Sequence, residues 1–69
     1  MLQHLLWRDA DRRTRRRAAE LLGAMGTHAK AAVPDLIDAL GDIDDDVGRA
    51  AAAALKKIDP KAAAKAGVK

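Results

Sequence analysis

Asp9-x-Asp11 followed by Arg16-x-Ala18-Ala19-x-x-Leu22 returns 33 residues later in the chain, as Asp42-x-Asp44 followed by Arg49-x-Ala51-Ala52-x-x-Leu55. Self-similarity at a period of tens of residues is typical of helical repeats, in which one unit cannot bury its apolar face alone and stacks on its neighbour. Apolar residues recur at three- and four-residue steps, and no stretch shows the two-residue alternation of a strand. The sequence therefore predicts an all-α fold, a short α-solenoid of antiparallel helix pairs with about two repeats.

The chain has the length of one small domain, 69 residues, and the pattern divides it into three parts. Residues 1–10 have leucines at helical spacing and are predicted to be the orphan second helix of a preceding unit. Residues 11–41 are predicted to form the first full repeat. Residues 42–69 are predicted to form the second repeat with a C-terminal cap. A domain of this size buries a limited surface, so its stability is expected to be marginal.

Capping signals set the limits of the predicted helices. Asp11 can cap a helix that runs to Met25 and stops at Gly26, and Pro34 is typical of the first turn of the next helix. Helical periodicity places one core face on the first of these helices and an equivalent face in the second repeat, while Ala19 and Gly23 are expected to face water. The two predicted core faces are Thr14, Ala18, Leu21, Leu22 and Met25, and Val47, Ala51, Ala54, Leu55 and Ile58. The predicted stripe of the helix after Pro34 is Val33, Leu36, Ile37 and Leu40, and the C-terminal tail is expected to fray at Gly67.

These segments resemble a HEAT-like repeat of the short bacterial type that is labelled phycobiliprotein-lyase HEAT. The residues that carry the resemblance are Asp11, Thr14-Arg15, Ala18, Leu22-Gly23, Met25-Gly26 and Ala32-Val33-Pro34-x-Leu36 in one unit, and Asp44, Val47, Ala51, Leu55 and Ile58 in the next. The resemblance covers most of the chain. It implies a fold and no activity, because the pattern consists of packing and turn residues.

The resemblance also implies ion pairs that join successive repeats. In such repeats an Arg of the first helix commonly pairs with an Asp of the adjacent repeat, so Arg15, Asp42 and Asp44 are expected to be inter-repeat structural residues. Gly48 stands where the second such Arg would be, so the ladder is expected to stop there. Lys56 and Asp59 replace two family glycines, which indicates the C-terminal end of a repeat array.

The composition favours neither an enzyme nor a metal site. The chain lacks Cys, Ser and Tyr, which removes the usual nucleophiles, disulfides and thiolate ligands. Asp42, Asp44 and Asp46 have the alternation of a calcium loop, but the required Gly and bidentate Glu are missing, so helix capping explains them better. His4 and His28 have no second ligand at helical spacing. We expect no cofactor and no metal, and a lyase-like accessory subunit is a second alternative that only the family label suggests.

The expected location is the cytoplasm. No apolar run approaches the ~20 residues of a membrane span, and the N-terminal residues do not have the pattern of a signal peptide.

The leading functional hypothesis is a protein–protein interaction or scaffold module. Ala31, Asp35 and Asp38 lie opposite the predicted core stripe of the second helix, and small or acidic side chains suit a flat helix or a basic segment of a partner. A second copy of the chain is the other expected partner, because an uncapped solenoid end exposes its stacking face. The residues expected to promote this self-association are Leu2, Leu5, Leu6 and Trp7.

Binding to nucleic acid is the alternative hypothesis. Arg12, Arg13 and Arg16 share a solvent-facing side of the first long helix, and arginines make many of the protein contacts to phosphate. Glu20 can neutralise Arg16 at i+4, and no aromatic side chain lies among the arginines to stack on a base. The sequence therefore favours a protein partner over nucleic acid.

Overall fold

The computed structural model of the chain describes residues 11–68. It contains four α-helices: α1 (Arg12–Met25), α2 (Val33–Ala39), α3 (Asp45–Ile58) and α4 (Pro60–Lys65), and a 3-10 segment (Gly26–Ala32) joins α1 to α2. No strand occurs within the described range, and the helices pack on one another, so the predicted all-α class is confirmed. The predicted orphan helix at residues 1–10, with Leu2, Leu5, Leu6 and Trp7, lies outside the described residues.

Aspartate side chains cap the N-termini of three of the four α-helices in the described part of the chain. Asp11, Asp44 and Asp59 cap α1, α3 and α4 by accepting hydrogen bonds from amides of the first turn, at 2.8 Å for the Thr14 amide to Asp11 Oδ1. These bonds satisfy amides that have no partner inside the helix. The helix α2 has instead Pro34 in its first turn, where the missing amide costs nothing.

The apolar core lies where α1 and α2 pack on α3. The whole predicted face of α3 is buried, as expected from its periodicity, and Leu36 and Ala39 of α2 are buried against it. The helix α4 contacts α3 from the C-terminal side and buries Ala63. The fully buried large side chains of this core are Leu36, Val47, Leu55 and Ile58.

The predicted core face of α1 is wrong in part. Ala19 and Gly23, which were expected to face water, are the buried residues of α1, whereas Thr14, Leu21 and Met25 are exposed. The reason is the direction from which α3 approaches. A Cβ atom built on Gly23 would lie 3.0 Å from Ala54 Cα, so the glycine allows the two helices to come close together.

The stripe predicted for α2 is also only partly correct. Leu36 is fully buried and Val33 and Leu40 are partly buried against the core, but Ile37 is 40% exposed. The face of α2 that meets α3 is therefore narrower than the apolar pattern indicates. Alanines of α2 and the 3-10 segment, Ala29, Ala32 and Ala39, complete the buried set.

The C-terminal tail ends in an ordered turn, so the predicted fraying at Gly67 is wrong. Gly67 has φ of 89° and donates its amide to Ala64 O at 3.1 Å, and the Val68 amide donates to Ala63 O at 2.9 Å. These two bonds form a Schellman motif, for which glycine is favoured because it tolerates positive φ. Val68 then packs against the core.

Among the helices of residues 11–68, none combines the length and the apolar character that a bilayer span needs.

Candidate functional site

A partly buried ion pair joins α1 to the turn between α2 and α3. Arg15 Nε donates to Asp42 Oδ2 at 2.7 Å, and the Arg15 NH2 group donates to Asp42 Oδ1 at 3.0 Å. The same Oδ1 accepts the Asp44 amide at 2.9 Å. Since the side chains of Arg15 and Asp42 are only 14% and 8% exposed, the two-pronged pair is sheltered from water and fixes their relative orientation.

The pKa values of this pair shift in the directions that its geometry requires. Burial raises the pKa of Asp42, but the hydrogen bonds from Arg15 and from the Asp44 amide outweigh it, and the pKa falls below its ordinary value of 3.8. The hydrogen bond to Asp42 raises the pKa of Arg15 despite the opposing effect of burial. Both groups are therefore charged at neutral pH, and the pair serves structure rather than proton transfer.

Asp44 has a different role from Asp42. Its Oδ1 atom accepts from the amides of Asp46 and Val47 at 3.0 and 3.2 Å and caps α3. Its other oxygen lies 3.9 Å from the exposed guanidinium of Arg12. Of the three predicted inter-repeat residues, the structure thus brings Arg15 and Asp42 together, while Asp44 orders the start of α3.

The arginines predicted as a nucleic-acid surface lie beside carboxylates. A shallow notch is lined by Arg12, Arg13, Arg16, Asp44 and Asp46, and Asp46 also lies 3.8 Å from Arg49. Mixed charges in one notch reduce its attraction for phosphate, because each carboxylate opposes the approach of an anion. The three aspartates of the calcium-like spacing are engaged by arginine or by backbone amides, and residues 11–68 hold no group of three or more possible metal ligands.

An apolar groove lies between α1 and the 3-10 segment. Leu21 and Met25, predicted as core, are 59% and 51% exposed at its edge. The groove is a wide, open depression with a volume of about 530 Å³. Its lining consists of Ala18, Leu21, Leu22, Met25, His28, Ala29, Ala31 and Ala32.

The residues predicted to bind a partner lie at the groove or on α2. Ala31 is exposed and lines the groove. Asp35 is partly buried in the first turn of α2, where its negative charge interacts favourably with the positive end of the helix dipole. Asp38 is exposed further along the same helix. Sequence reasoning missed Leu21 and Met25 as groove residues because it assigned their apolar row to the core, and no pattern in the sequence pointed to His28.

Comparison with known families agrees with this architecture. A family model described as HEAT repeats matches residues 1–66, a range that includes α1, α2, α3 and α4 and also residues 1–10. Comparisons with curated proteins and with solved structures gave no match. Since the family match spans nearly the whole chain and the described residues are packed helices, the chain belongs to the HEAT-repeat family.

Proposed function

We propose that this chain is a non-catalytic protein-interaction module that docks a helix of a partner protein in the groove between α1 and the 3-10 segment. The observation that carries the proposal is the exposure of Leu21 and Met25 in a groove of apolar lining. Contiguous exposed apolar surface on a small domain marks interaction sites. An apolar groove of this kind suits the apolar face of an amphipathic helix.

The internal repeat supports a helix as the occupant. Leu21 stands 33 residues before Ala54, and Ala54 is covered by α1 itself, which approaches at Gly23. In the second repeat, therefore, a helix lies on the position that is exposed in the first repeat. A partner helix at Leu21 would reproduce a packing that this chain already contains.

Two acidic residues of α2, which are not part of the groove lining, supply the proposed charge preference. Asp35 and Asp38 follow Ala31 along the chain on α2, and complementary charges at the rim of an interface favour encounter and orientation. A partner helix with lysine or arginine beside its apolar stripe fits this arrangement. The chain carries a net charge of +3, so overall attraction does not explain such a preference, and the local carboxylates must supply it.

We also infer that the second repeat ends the stack. Lys56 stands 33 residues after Gly23 and is exposed, and a lysine there opposes the close helix approach that Gly23 allows between α1 and α3. The helix α4 and Val68 pack on the C-terminal side of the core. Such an end leaves the groove at α1 as the place where the stack can take up another helix.

The test is a selection of ligands from a displayed library of random helical peptides, with the full chain as bait. We expect selected peptides to carry apolar residues at three- and four-residue steps with flanking basic residues. Binding should fall at least about tenfold, or 1.4 kcal/mol, in the variant Leu21→Asp plus Met25→Asp. It should weaken in Asp35→Lys plus Asp38→Lys, with unchanged helicity by circular dichroism.

The matched control is Ile43→Asp, because Ile43 is 97% exposed and lies in the turn before α3, outside the groove. This variant should bind the selected peptides as the parent does. Equal binding by the groove variant, or a library that yields no ligand, would contradict the proposed docking. Retained binding in the Asp35 and Asp38 variant would remove only the charge preference from the proposal.

A further inference from the structure

We propose that His28 selects the partner helix, by requiring an aspartate or glutamate of that helix at the edge of its apolar stripe. The inference rests on the proposed function, because it concerns the helix that docks between α1 and the 3-10 segment. It adds a specificity-determining side chain and the chemistry of the group that this side chain recognises.

Among the described residues that line the groove, His28 has the one polar side chain. The other lining residues are alanine, leucine and methionine. His28 follows Met25 by three residues and belongs to the 3-10 segment, which forms the wall that faces α1. A helix that docks between these two walls on Leu21 and Met25 therefore also contacts the imidazole ring.

The imidazole of His28 has no partner of its own within residues 11–68. The side chain is exposed, and it makes no hydrogen bond or ion pair with another residue of that range. Its ring nitrogens are therefore satisfied by solvent until a helix covers the groove. A polar group that binding buries without a partner weakens the complex by about tenfold. The partner helix thus has to bring a hydrogen-bonding group to this point.

A carboxylate is the group that suits this point best. Imidazole carries an N–H donor in each tautomer, and both oxygens of a carboxylate accept hydrogen bonds, which are stronger than those between neutral groups. The chain supplies no acid of its own here, since the ionisable side chains between Glu20 and Asp35 are those of His28 and Lys30. An acid at this point is compatible with the basic residues that Asp35 and Asp38 favour, because α2 does not line the groove.

A contact with His28 predicts something different from general attraction by net charge. The chain carries a net charge of +3, which favours acidic residues anywhere on a bound peptide and loses strength as salt is added. A contact with one imidazole favours one acidic residue at one position relative to the apolar stripe. The position of the acid along the peptide therefore separates the two explanations.

The test is a parallel selection from the displayed library of helical peptides, with the parent chain and His28→Leu as baits. Leucine has a similar size and lacks the ring nitrogens. Peptides selected by the parent should carry Asp or Glu at one fixed position beside the apolar stripe, and those selected by His28→Leu should carry an apolar residue there. Circular dichroism checks that the variant remains helical.

The matched controls are Thr27→Leu and Lys30→Gln. Both residues are exposed on the 3-10 segment and neither lines the groove. Thr27→Leu adds the same apolar side chain next to His28, and Lys30→Gln removes the neighbouring positive charge while His28 remains. Both variants should select the same acidic position as the parent.

Affinities of one selected peptide then isolate the pair. Replacing its acidic residue with the corresponding amide should weaken binding to the parent about tenfold, and binding to His28→Leu by less than about twofold. With Lys30→Gln as the receptor, the same replacement should weaken binding as it does with the parent.

The outcomes separate this inference from the proposed function. Peptides that dock at Leu21 and Met25 without a preferred acidic position would overturn the role of His28 and leave helix docking intact. An equal acidic preference with His28→Leu, or its loss with Lys30→Gln, would assign the preference to other charges and overturn it as well. A library that yields no ligand contradicts helix docking itself, and the inference then fails with it.

Discussion

The helices α1 and α3 carry the same sequence pattern, but the equivalent residues of the two helices differ in burial. The row Ala51, Ala54, Leu55 and Ile58 of α3 is buried, while its counterpart Ala18, Leu21, Leu22 and Met25 of α1 lines an open groove. The helix α1 instead buries Ala19 and Gly23, because it is the neighbour of α3 and turns that side toward it. A repeat therefore specifies which residues are equivalent, and the neighbours decide which of them are covered.

The largest expected difference is in the free energy of unfolding lost on truncating Ile58 and Met25, the last residues of the two equivalent rows. Ile58 is fully buried, so Ile58→Ala should lower the free energy of unfolding by about 3 kcal/mol. Met25 is 51% exposed, so Met25→Ala should lower it by less than about 1 kcal/mol. Urea unfolding followed by circular dichroism measures both losses. Equal losses would contradict the difference in burial between the two row ends.

The next effect concerns the ion pair that only the first of the two long helices makes. Arg15→Ala leaves the sheltered carboxylate of Asp42 without its strongest donor, so we expect a loss of about 2 kcal/mol in the free energy of unfolding. Arg12→Ala is the control, because the Arg12 side chain is 68% exposed and 3.9 Å from Asp44. It should cost less than about 0.5 kcal/mol.

A double-mutant cycle of Arg15→Ala and Asp42→Ala isolates the coupling between the two side chains. The coupling should favour the pair, because each single variant leaves a charge partly buried and unpaired. A coupling near zero would mean that the pair orients the repeats without stabilising them.

Gly23 and Lys56 occupy equivalent positions with different neighbours. Gly23→Ala should destabilise the chain by about 1 kcal/mol, because crowding against Ala54 exceeds the gain in helix propensity. Lys56→Ala, at an exposed position, should change stability by less than about 0.5 kcal/mol. Thermal unfolding compares them, and a stabilising Gly23→Ala would show that α1 and α3 can separate without loss.

The smallest expected effect is the pH dependence that Asp42 contributes. The pKa of Asp42 is lower in the folded chain than in the unfolded chain. The contribution of the pair to the free energy of unfolding is therefore fully present above the ordinary pKa of 3.8, and it is lost as the pH falls through the pKa of the folded chain. Stability should therefore decline below about pH 4. Asp42→Asn should make that decline shallower, whereas Asp11→Asn, at a fully exposed cap, should change it less.

The sequence predicts the fold well because its signals are local. Aspartate caps, Gly26 and Pro34 define the helix limits, and the buried row of α3 follows from its periodicity. The pairing of Arg15 with an aspartate of the next repeat came from the family resemblance. The burial of Ala19 and Gly23 could not be predicted in this way, since it depends on the direction from which another helix approaches.

The candidate site was predicted only in part for the same reason. Ala31 lies at the groove, but Leu21 and Met25 were assigned to the core because apolar periodicity does not distinguish a covered row from an open one. The ordered turn at Gly67 depends on two hydrogen bonds and on the packing of Val68. It was missed because the sequence of a short alanine-rich tail does not indicate such contacts.

Thiol labelling at the two equivalent row ends tests the central claim most directly, because the chain has no cysteine of its own. Met25→Cys and Ile58→Cys each introduce one thiol, and the rate of its reaction with a maleimide reports how often it meets solvent. We predict that the thiol at position 25 reacts nearly as fast as in the urea-unfolded chain, and that the thiol at position 58 reacts at least about tenfold more slowly, because it must wait for unfolding. Equal rates at the two positions would contradict the account.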